Sequence, residues 1–248
     1  MSMSSVLGRL CMAAALLMFA AAAFAQMPSQ EEAPKNLKVL PKDWTRQQVI
    51  QVMQNFTAAL GVGCDHCHVE KEGAPPDFAS DDKKEKDQAR AMMKISQDLN
   101  ARLPKDLNEE ANEVTRIGCI TCHRGVTEPK QIGEILAKTS AEKGFSAATA
   151  QYNDLKSKYY GAQAYDFSET GLIATARSLI QQNRNDEAIQ FLQLNLQLFP
   201  KSVASYLTMA QAQLVKKDNA GAIASLEKAL EIDPRNRLVE RMLGQLKR

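Results

Sequence analysis

The sequence has few aromatic residues and almost no net charge. Its 248 residues include only one tryptophan, and aromatic residues make up 6% of the chain. Large aromatic side chains can therefore anchor little of its core. The net charge is only +2, too balanced for the basic surface of a nucleic-acid-binding protein. No catalytic triad or phosphate-binding loop is present. We therefore predict no nucleic-acid partner and no enzyme activity.

The main long apolar run lies at the N-terminus. A segment with one arginine, "MSMSSVLGRL", precedes the apolar "CMAAALLMFAAAAFA", and "AFA" comes directly before Gln26. This order is typical of a secretory signal peptide with its cleavage site. The run is shorter than the roughly 18 residues of a membrane-spanning helix, although an uncleaved anchor is the alternative. We predict a signal peptide at 1–25 and a periplasmic protein, with membrane association left open.

Cysteines are few, and their spacing is regular. Cleavage after residue 25 would remove Cys11, and the four that stay lie in two short motifs, "CDHCH" and "CITCH". A zinc site is one interpretation, but 51 residues (68–118) separate the pairs, whereas about 15–20 is usual. A redox dithiol is another, and it leaves both histidines unexplained.

Covalent haem attachment accounts for every residue of both motifs. C-x-x-C-H is the signature of c-type haem attachment. Positions i, i+3 and i+4 share one face of a helical turn, so both sulfurs can bond one porphyrin while the histidine binds its iron. We therefore predict two haem c groups, with thioether bonds from Cys64, Cys67, Cys119 and Cys122 and proximal iron ligands His68 and His123.

A first predicted helix offers one candidate for the remaining axial position. The segment "TRQQVIQVMQNFTAALGVGC" begins with a capping box formed by Thr45 and Gln48 and stops at Gly61. Met53 lies 11 residues before Cys64. Its neighbours at helical spacing complete an apolar stripe of Val49, Met53, Phe56 and Leu60. The pattern alone favours core packing for Met53, with iron binding as the alternative.

A second predicted helix, "KKEKDQARAMMKISQDLNARL", should begin at an Asp82 cap and stop before Pro104. We expect a buried stripe of Met92, Ile95, Leu99 and Leu103. Met92 is therefore the better ligand candidate, since Met93 shares a face with Ser96 and Asn100. Core packing is again the alternative.

The third histidine of the chain, His66, lies inside the first motif. On a helical turn it points about 200° away from Cys64, so it cannot cap its own haem. It could reach a neighbouring haem, and a solvent-facing histidine is the simpler interpretation.

Both motifs and their surroundings resemble the photosynthetic reaction-centre cytochrome c subunit family, in a two-haem form. The resemblance rests on "GVGCDHCHVEKEGAPPDFASDDKKEKDQARAMMKISQDLN" and on "IGCITCHRG" with Pro129 following, and covers about 35–130. It implies that Met53 is the axial ligand of the first haem. The four-haem subunit caps its last haem with a histidine from a half that this sequence lacks. The first candidate for the axial ligand of the second haem is therefore Met92. Met93 is the next candidate, and His66 is the last. Two-haem relatives occur outside photosynthetic bacteria, so photosynthesis is not implied.

The C-terminal third contains an internal repeat. "DEAIQFLQLNLQLFP" is followed 34 residues later by "AGAIASLEKALEIDP", and Pro200 recurs as Pro234. This period, with small residues at helix crossings, is typical of tetratricopeptide repeats (TPR). We predict helices at 169–182, 185–198, 202–216, 219–231 and 236–247. Before them, 131–145 reads as a connector or peripheral helix and 146–160 as one helix.

These patterns predict a mostly α protein with little regular strand. Its predicted parts are a signal peptide (1–25), a di-haem cytochrome c domain (26–130), a connector with a helix (131–168) and a short TPR α-solenoid (169–248). The predicted function is electron transfer between redox partner proteins, with a membrane-bound electron-transfer complex as one candidate. The TPR groove would bind a protein or peptide, or else serve packing or self-association. The alternatives are a peroxidase-like haem enzyme with an open position on the second haem, and a TPR scaffold or assembly factor.

Overall fold

The computed structural model describes residues 33–248, so the predicted signal peptide lies outside the described residues. The described chain is mostly helical, which confirms the predicted fold class. Its elements in order are α1 Arg46–Leu60, a 3-10 turn Cys64–His66, β1 Val69–Lys71, β2 Ala74–Asp77, α2 Lys84–Leu107, α3 Cys119–His123, α4 Ile132–Lys143, α5 Phe145–Tyr159, α6 Glu169–Gln181, α7 Asn185–Leu198, α8 Val203–Val215, α9 Asn219–Ile232 and α10 Arg237–Leu246. Within 33–248, no helix combines the length and apolarity needed to cross a bilayer.

The chain divides into two compact units. Of the described residues, unit 1 comprises 33–57 together with 63–117, and unit 2 comprises 58–62 together with 118–248. The first C-x-x-C-H motif therefore belongs to unit 1, and the second belongs to unit 2 with the repeats. The predicted domain ranges stay predictions.

The described strands form a single antiparallel hairpin in unit 1. Val69 pairs with Asp77 and Lys71 with Ala74, around a turn in which Gly73 has φ +71°. Because β2 contains two prolines, it could not serve as a central strand. The hairpin returns the chain so that Phe78, directly after β2, lies against His68.

The predicted capping box on α1 is confirmed. The Thr45 backbone N–H donates to Gln48 Oε1 at 2.8 Å, and the Gln48 N–H donates to Thr45 Oγ1 at 3.4 Å. The helix ends where Gly61 adopts φ +67°, as predicted.

Both predicted ends of α2 were wrong. The N-cap is Lys83 rather than Asp82, and the helix runs through Pro104 to Leu107. Proline removes the N–H that would bond the Asn100 carbonyl, but the last turn is largely exposed, where water can take its place. Asn108 then ends the helix in the left-handed conformation, at φ 56°.

The two units differ sharply in burial. Among the described residues of unit 1, only His68 is buried, at 9% exposure. Several large apolar side chains of this unit are exposed instead: Ile50, Phe78, Met92, Ile95, Leu99 and Leu107. Isolated exposed apolar residues are ordinary, but this many on one small unit indicate a surface made for another apolar group.

Unit 2 contains two apolar core clusters. One cluster runs from Ile132 on α4 to Met209 on α8, with Phe191 and Leu136 fully buried. A second cluster joins α8, α9 and α10 around Ala210. The segment 131–145, which the sequence presents as a connector or peripheral helix, therefore contributes to this core. Arg184 adds a polar link by donating to the Ala137 carbonyl at 2.9 Å.

The five predicted repeat helices are confirmed as α6 to α10, to within one residue at each end. Fully buried small residues recur at the predicted period of 34, at Ala176 and Ala210 and again at Ala188 and Ala222. Capping side chains repeat with the same spacing, at Ser168, Ser202 and Asn236. Small residues let the helices approach closely, and a cap at each first helix of a pair fixes where it starts.

Candidate haem-binding sites

The first motif folds into one tight turn. The Cys67 N–H donates to the Cys64 carbonyl at 3.3 Å, and the His68 N–H donates to the same carbonyl at 3.0 Å. All three side chains that the motif prediction needs are therefore brought together by local backbone bonds. Both thiols are free, with Cys64 exposed and Cys67 half-buried. Burial, aided by the Glu85 carboxylate, raises the pKa of Cys67, which keeps it a neutral thiol at neutral pH.

His68 packs against an aromatic ring in a buried site. The Phe78 ring meets its imidazole edge to face, with the centroids 5.0 Å apart. Burial, with Lys86 nearby, lowers the pKa of His68, and a weak backbone interaction with Phe78 opposes the shift. The ring nitrogen Nδ1 is buried and makes no hydrogen bond of ordinary geometry among the described residues. The imidazole is thus neutral, as an iron ligand must be.

The second motif forms the short helix α3, whose first turn is closed by a side chain. The Gly118 N–H donates to Thr121 Oγ1 at 3.1 Å. After His123 the backbone turns back through Arg124 and Gly125, at φ 49° and 87°. Cys119 and Cys122 are free thiols, and burial raises the pKa of Cys119. This motif therefore also offers an uncharged thiol.

His123 has the orientation expected of a proximal ligand. Its Nδ1 lies 2.9 Å from the Val126 carbonyl oxygen. A carbonyl only accepts, so Nδ1 carries the proton and Nε2 keeps its lone pair. Histidines that bind metals usually donate their other ring N–H to a carbonyl or carboxylate in this way.

The loop after His123 is fastened to the end of α1 inside unit 2. The Gly125 N–H donates to the Ala59 carbonyl at 2.9 Å. A Cβ at Gly61 would lie 2.2 Å from the Gly125 oxygen, so only glycine fits. A cleft of about 380 Å³ opens beside this loop, lined in part by Val126, Tyr159 and Tyr165.

The residues of both motifs fit haem better than a bare metal ion. Among residues 33–248, no cluster of three or more His, Cys, Asp or Glu side chains is placed to hold an ion. Each motif instead joins two free thiols to one histidine, the groups that a covalently attached haem requires. The ring contact of His68 with Phe78 and the hydrogen bond of His123 to the Val126 carbonyl position both imidazoles. The exposed apolar side chains of unit 1 suit a large flat apolar group.

The apolar face predicted for α1 is confirmed as its half-buried face. Val49, Met53, Phe56 and Leu60 are all partly buried, and Ile50, off the stripe, is exposed. Iron binding by Met53 stays a prediction.

The buried stripe predicted for α2 was wrong. Met92 is 48% exposed, and Ile95 and Leu99 are exposed as well. The half-buried face carries Met93, Ser96 and Asn100. Hydrogen bonds decide this orientation: Asn100 donates to the Ile117 carbonyl and accepts from the Ile117 N–H, each at 2.8 Å. Ser96 adds a bond to the same carbonyl. Met92 and Met93 as ligands of the second haem stay predictions, as does His66, which is half-buried.

Substitution of Asn100 tests this polar anchor. Asn100→Ala leaves both backbone groups of Ile117 without their side-chain partner, and we expect a loss of about 2 kcal/mol in the free energy of unfolding. Ser96→Ala removes one of two donors to that carbonyl and should cost about 1 kcal/mol or less. Denaturant unfolding measures both, and equal small losses would contradict the assignment.

A cluster of charges ties the start of the described chain to α2 in unit 1. Asp81 pairs with Lys38 at 2.6 Å and with Arg90 at 2.8 Å. Hydrogen bonds from Asn36, Lys38 and Arg90 hold the pKa of Asp81 far below its ordinary value. Asp81 is therefore an ionised partner for these cations at neutral pH.

Three residues near the sites have no signal in the motifs. Phe78 contacts His68 after the hairpin, Lys86 on α2 donates to the Phe78 carbonyl, and the Val126 carbonyl meets His123 through a turn. Phe78 lies in the segment "DFASDDK" that carries the resemblance, which is the one sequence feature that could have pointed to it.

The fold and the two motifs define a class: a c-type cytochrome with helical repeats at its C-terminal end. Residues 12–212 match the family described as photosynthetic reaction centre cytochrome C subunit, and 179–246 match a tetratricopeptide repeat. The chain belongs to the reaction-centre cytochrome c subunit family. No curated protein matches it. Membership implies haem c as cofactor and electron transfer rather than catalysis, as the sequence predicts.

Proposed function

We propose that the protein is an exported di-haem cytochrome c that passes electrons between redox partner proteins. The observation that carries the proposal is the pair of C-x-x-C-H motifs. Each is closed into one turn, with two free thiols beside a histidine whose ring is fixed by its surroundings. When bound, haem c supplies a one-electron iron couple whose potential the protein sets through axial ligands and nearby charges.

The chain's own residues have distinct roles in this proposal. Cys64 and Cys67 hold the first porphyrin, and Cys119 and Cys122 hold the second. His68 and His123 bind the irons from one side. Met53 is the proposed opposite ligand of the first haem, and Met92 that of the second. A thioether ligand raises the potential relative to a second imidazole.

The repeats are proposed to bind a partner protein or peptide. The TPR family match and the regular stacking of α6 to α10 support this role, because stacked helical pairs form a concave surface. The signal-peptide pattern at 1–25 supports a periplasmic location. The redox partners are proteins, with a membrane-bound electron-transfer complex among the candidates.

Mass measurement of the exported protein tests the proposal. We expect a polypeptide that begins at Gln26, heavier than its amino acids by two haems, and haem stain that survives denaturing electrophoresis. A mass equal to the bare polypeptide, or zinc in place of haem, would contradict the proposal. A high-spin ferric signal with peroxide turnover would favour a haem enzyme instead.

A further inference from the structure

The two proximal histidines meet backbone carbonyls in different ways. His123 donates from Nδ1 to the Val126 carbonyl at 2.9 Å. The Phe78 backbone interacts with His68, but the buried Nδ1 makes no hydrogen bond of ordinary geometry among the described residues. Such a bond makes the imidazole a stronger electron donor to the metal, so its absence at His68 has electronic consequences.

Lys86 donates to the Phe78 carbonyl. Its Nζ donates to that oxygen at 2.9 Å and to the Ser80 carbonyl at 2.6 Å. Asp81 Oδ1 lies 3.4 Å from Lys86 Nζ and is the third acceptor around the ammonium. The side chain is only 13% exposed, so the ammonium is fixed in place by the residues after β2.

The charge of Lys86 is only partly neutralised. Asp81 is shared with Lys38 and Arg90, and Arg90 also pairs with Asp87. The cluster therefore has three cations and two carboxylates, which leaves one net positive charge: Lys38, Lys86, Arg90, Asp81 and Asp87. Lys83, which donates to the Asp65 carbonyl of the first motif, adds a second cation there, while the Glu85 carboxylate acts on the Cys67 thiol.

We propose that Lys86 raises the reduction potential of the first haem. It does so by weakening the Phe78 carbonyl as a hydrogen-bond acceptor for His68, because the ammonium already draws on that oxygen. It also places a fixed positive charge on the residue whose ring packs against the imidazole. A weaker donor ligand and a nearby cation both favour the reduced iron, which carries less positive charge. Lys86 is thus a positioning residue that acts through Phe78 and His68. The inference rests on the proposed haem attachment at Cys64 and Cys67.

Lys86→Met in the complete two-haem protein tests the proposal. The variant removes both the charge and the Lys86 hydrogen bond, which leaves the Phe78 carbonyl a stronger acceptor for His68. In a spectroelectrochemical titration, one of the two midpoint potentials should fall. At a fixed potential, the ferrous-to-ferric ratio of that haem should drop about tenfold, which corresponds to a fall of about 59 mV in its midpoint potential. The other midpoint should not move. Lys86→Arg keeps the charge and should retain most of the wild-type value.

Lys84→Met is the matched control, because it removes an exposed lysine two residues earlier on the same helix. In this variant the ferrous-to-ferric ratio of either haem at fixed potential should change less than twofold, since water and salt screen an exposed charge. A second readout is the NMR signal of the His68 Nδ1–H, which should become protected from exchange only in Lys86→Met. If Lys86→Met does not fold, Lys86→Gln should shift the same midpoint in the same direction by a smaller amount.

The outcomes separate the two proposals. Unchanged midpoints in Lys86→Met with both haems attached, or a shift no larger than that of Lys84→Met, would overturn the role of Lys86 and leave the cytochrome intact. A wild-type protein without covalent haem would overturn both.

Discussion

Replacement of both Cys119 and Cys122 by alanine is expected to halve the covalently bound haem. Each motif supplies both of its own thiols, and no other cysteine follows the predicted signal peptide. With no sulfur left at the second motif, the porphyrin there has no covalent bond, and His123 alone cannot hold it through denaturation. The haem at Cys64 and Cys67 should remain, since those residues lie in the other compact unit.

Intact-mass measurement of the exported protein gives the count directly. The variant should carry one haem where the wild type carries two. Cys11→Ala is the matched control, because the predicted cleavage removes that residue, and it should leave both haems attached. An unchanged haem content in the double variant would show that the second motif is not an attachment site.

Gly61→Ala is expected to destabilise unit 2 by about 2–4 kcal/mol. Gly61 has φ +67°, and an added Cβ would meet the Gly125 carbonyl oxygen at 2.2 Å. Relief of this contact would push the loop after His123 away from α1 and lengthen the bond from the Gly125 N–H to the Ala59 carbonyl. Two costs therefore add: a strained backbone conformation and a displaced backbone contact.

Gly73→Ala separates these two costs. Gly73 has φ +71°, almost the same conformation, but nothing lies within 4 Å of an added Cβ. Its substitution should cost only the backbone term, about 1–2 kcal/mol. Denaturant unfolding of the purified holoprotein compares the two variants. If Gly61→Ala were no worse than Gly73→Ala, the close approach of the Gly125 loop would not contribute to stability.

The repeats were the part of the fold most fully predictable from sequence. Their helices pack through small residues that recur every 34 positions, and the same spacing repeats the capping residues Ser168, Ser202 and Asn236. Each repeat buries its apolar face mainly against its neighbours in sequence, so local pattern and tertiary packing agree.

Prediction failed where side chains bind backbone from elsewhere in the chain. On α2, an apolar stripe pointed to burial of Met92, yet Asn100 and Ser96 turn the opposite face inward by bonding Ile117. Periodicity counts apolar residues and does not register a bidentate amide. The β1–β2 hairpin was also missed, since "VEKEGAPPD" is short, charged and interrupted by prolines.

The sequence by itself determined the chemistry of this protein: two motifs of two thiols and a histidine, a family, and a repeated helical pair. These follow from residues a few positions apart, whose relative placement the local backbone fixes. Only the tertiary structure decided how each histidine is held. The carbonyl that accepts from His123 comes from a turn, whereas that of Phe78, beside His68, follows a hairpin and accepts from Lys86. Hydrogen bonds between distant backbone and side chains depend on how the chain returns on itself, which spacing along the sequence does not encode.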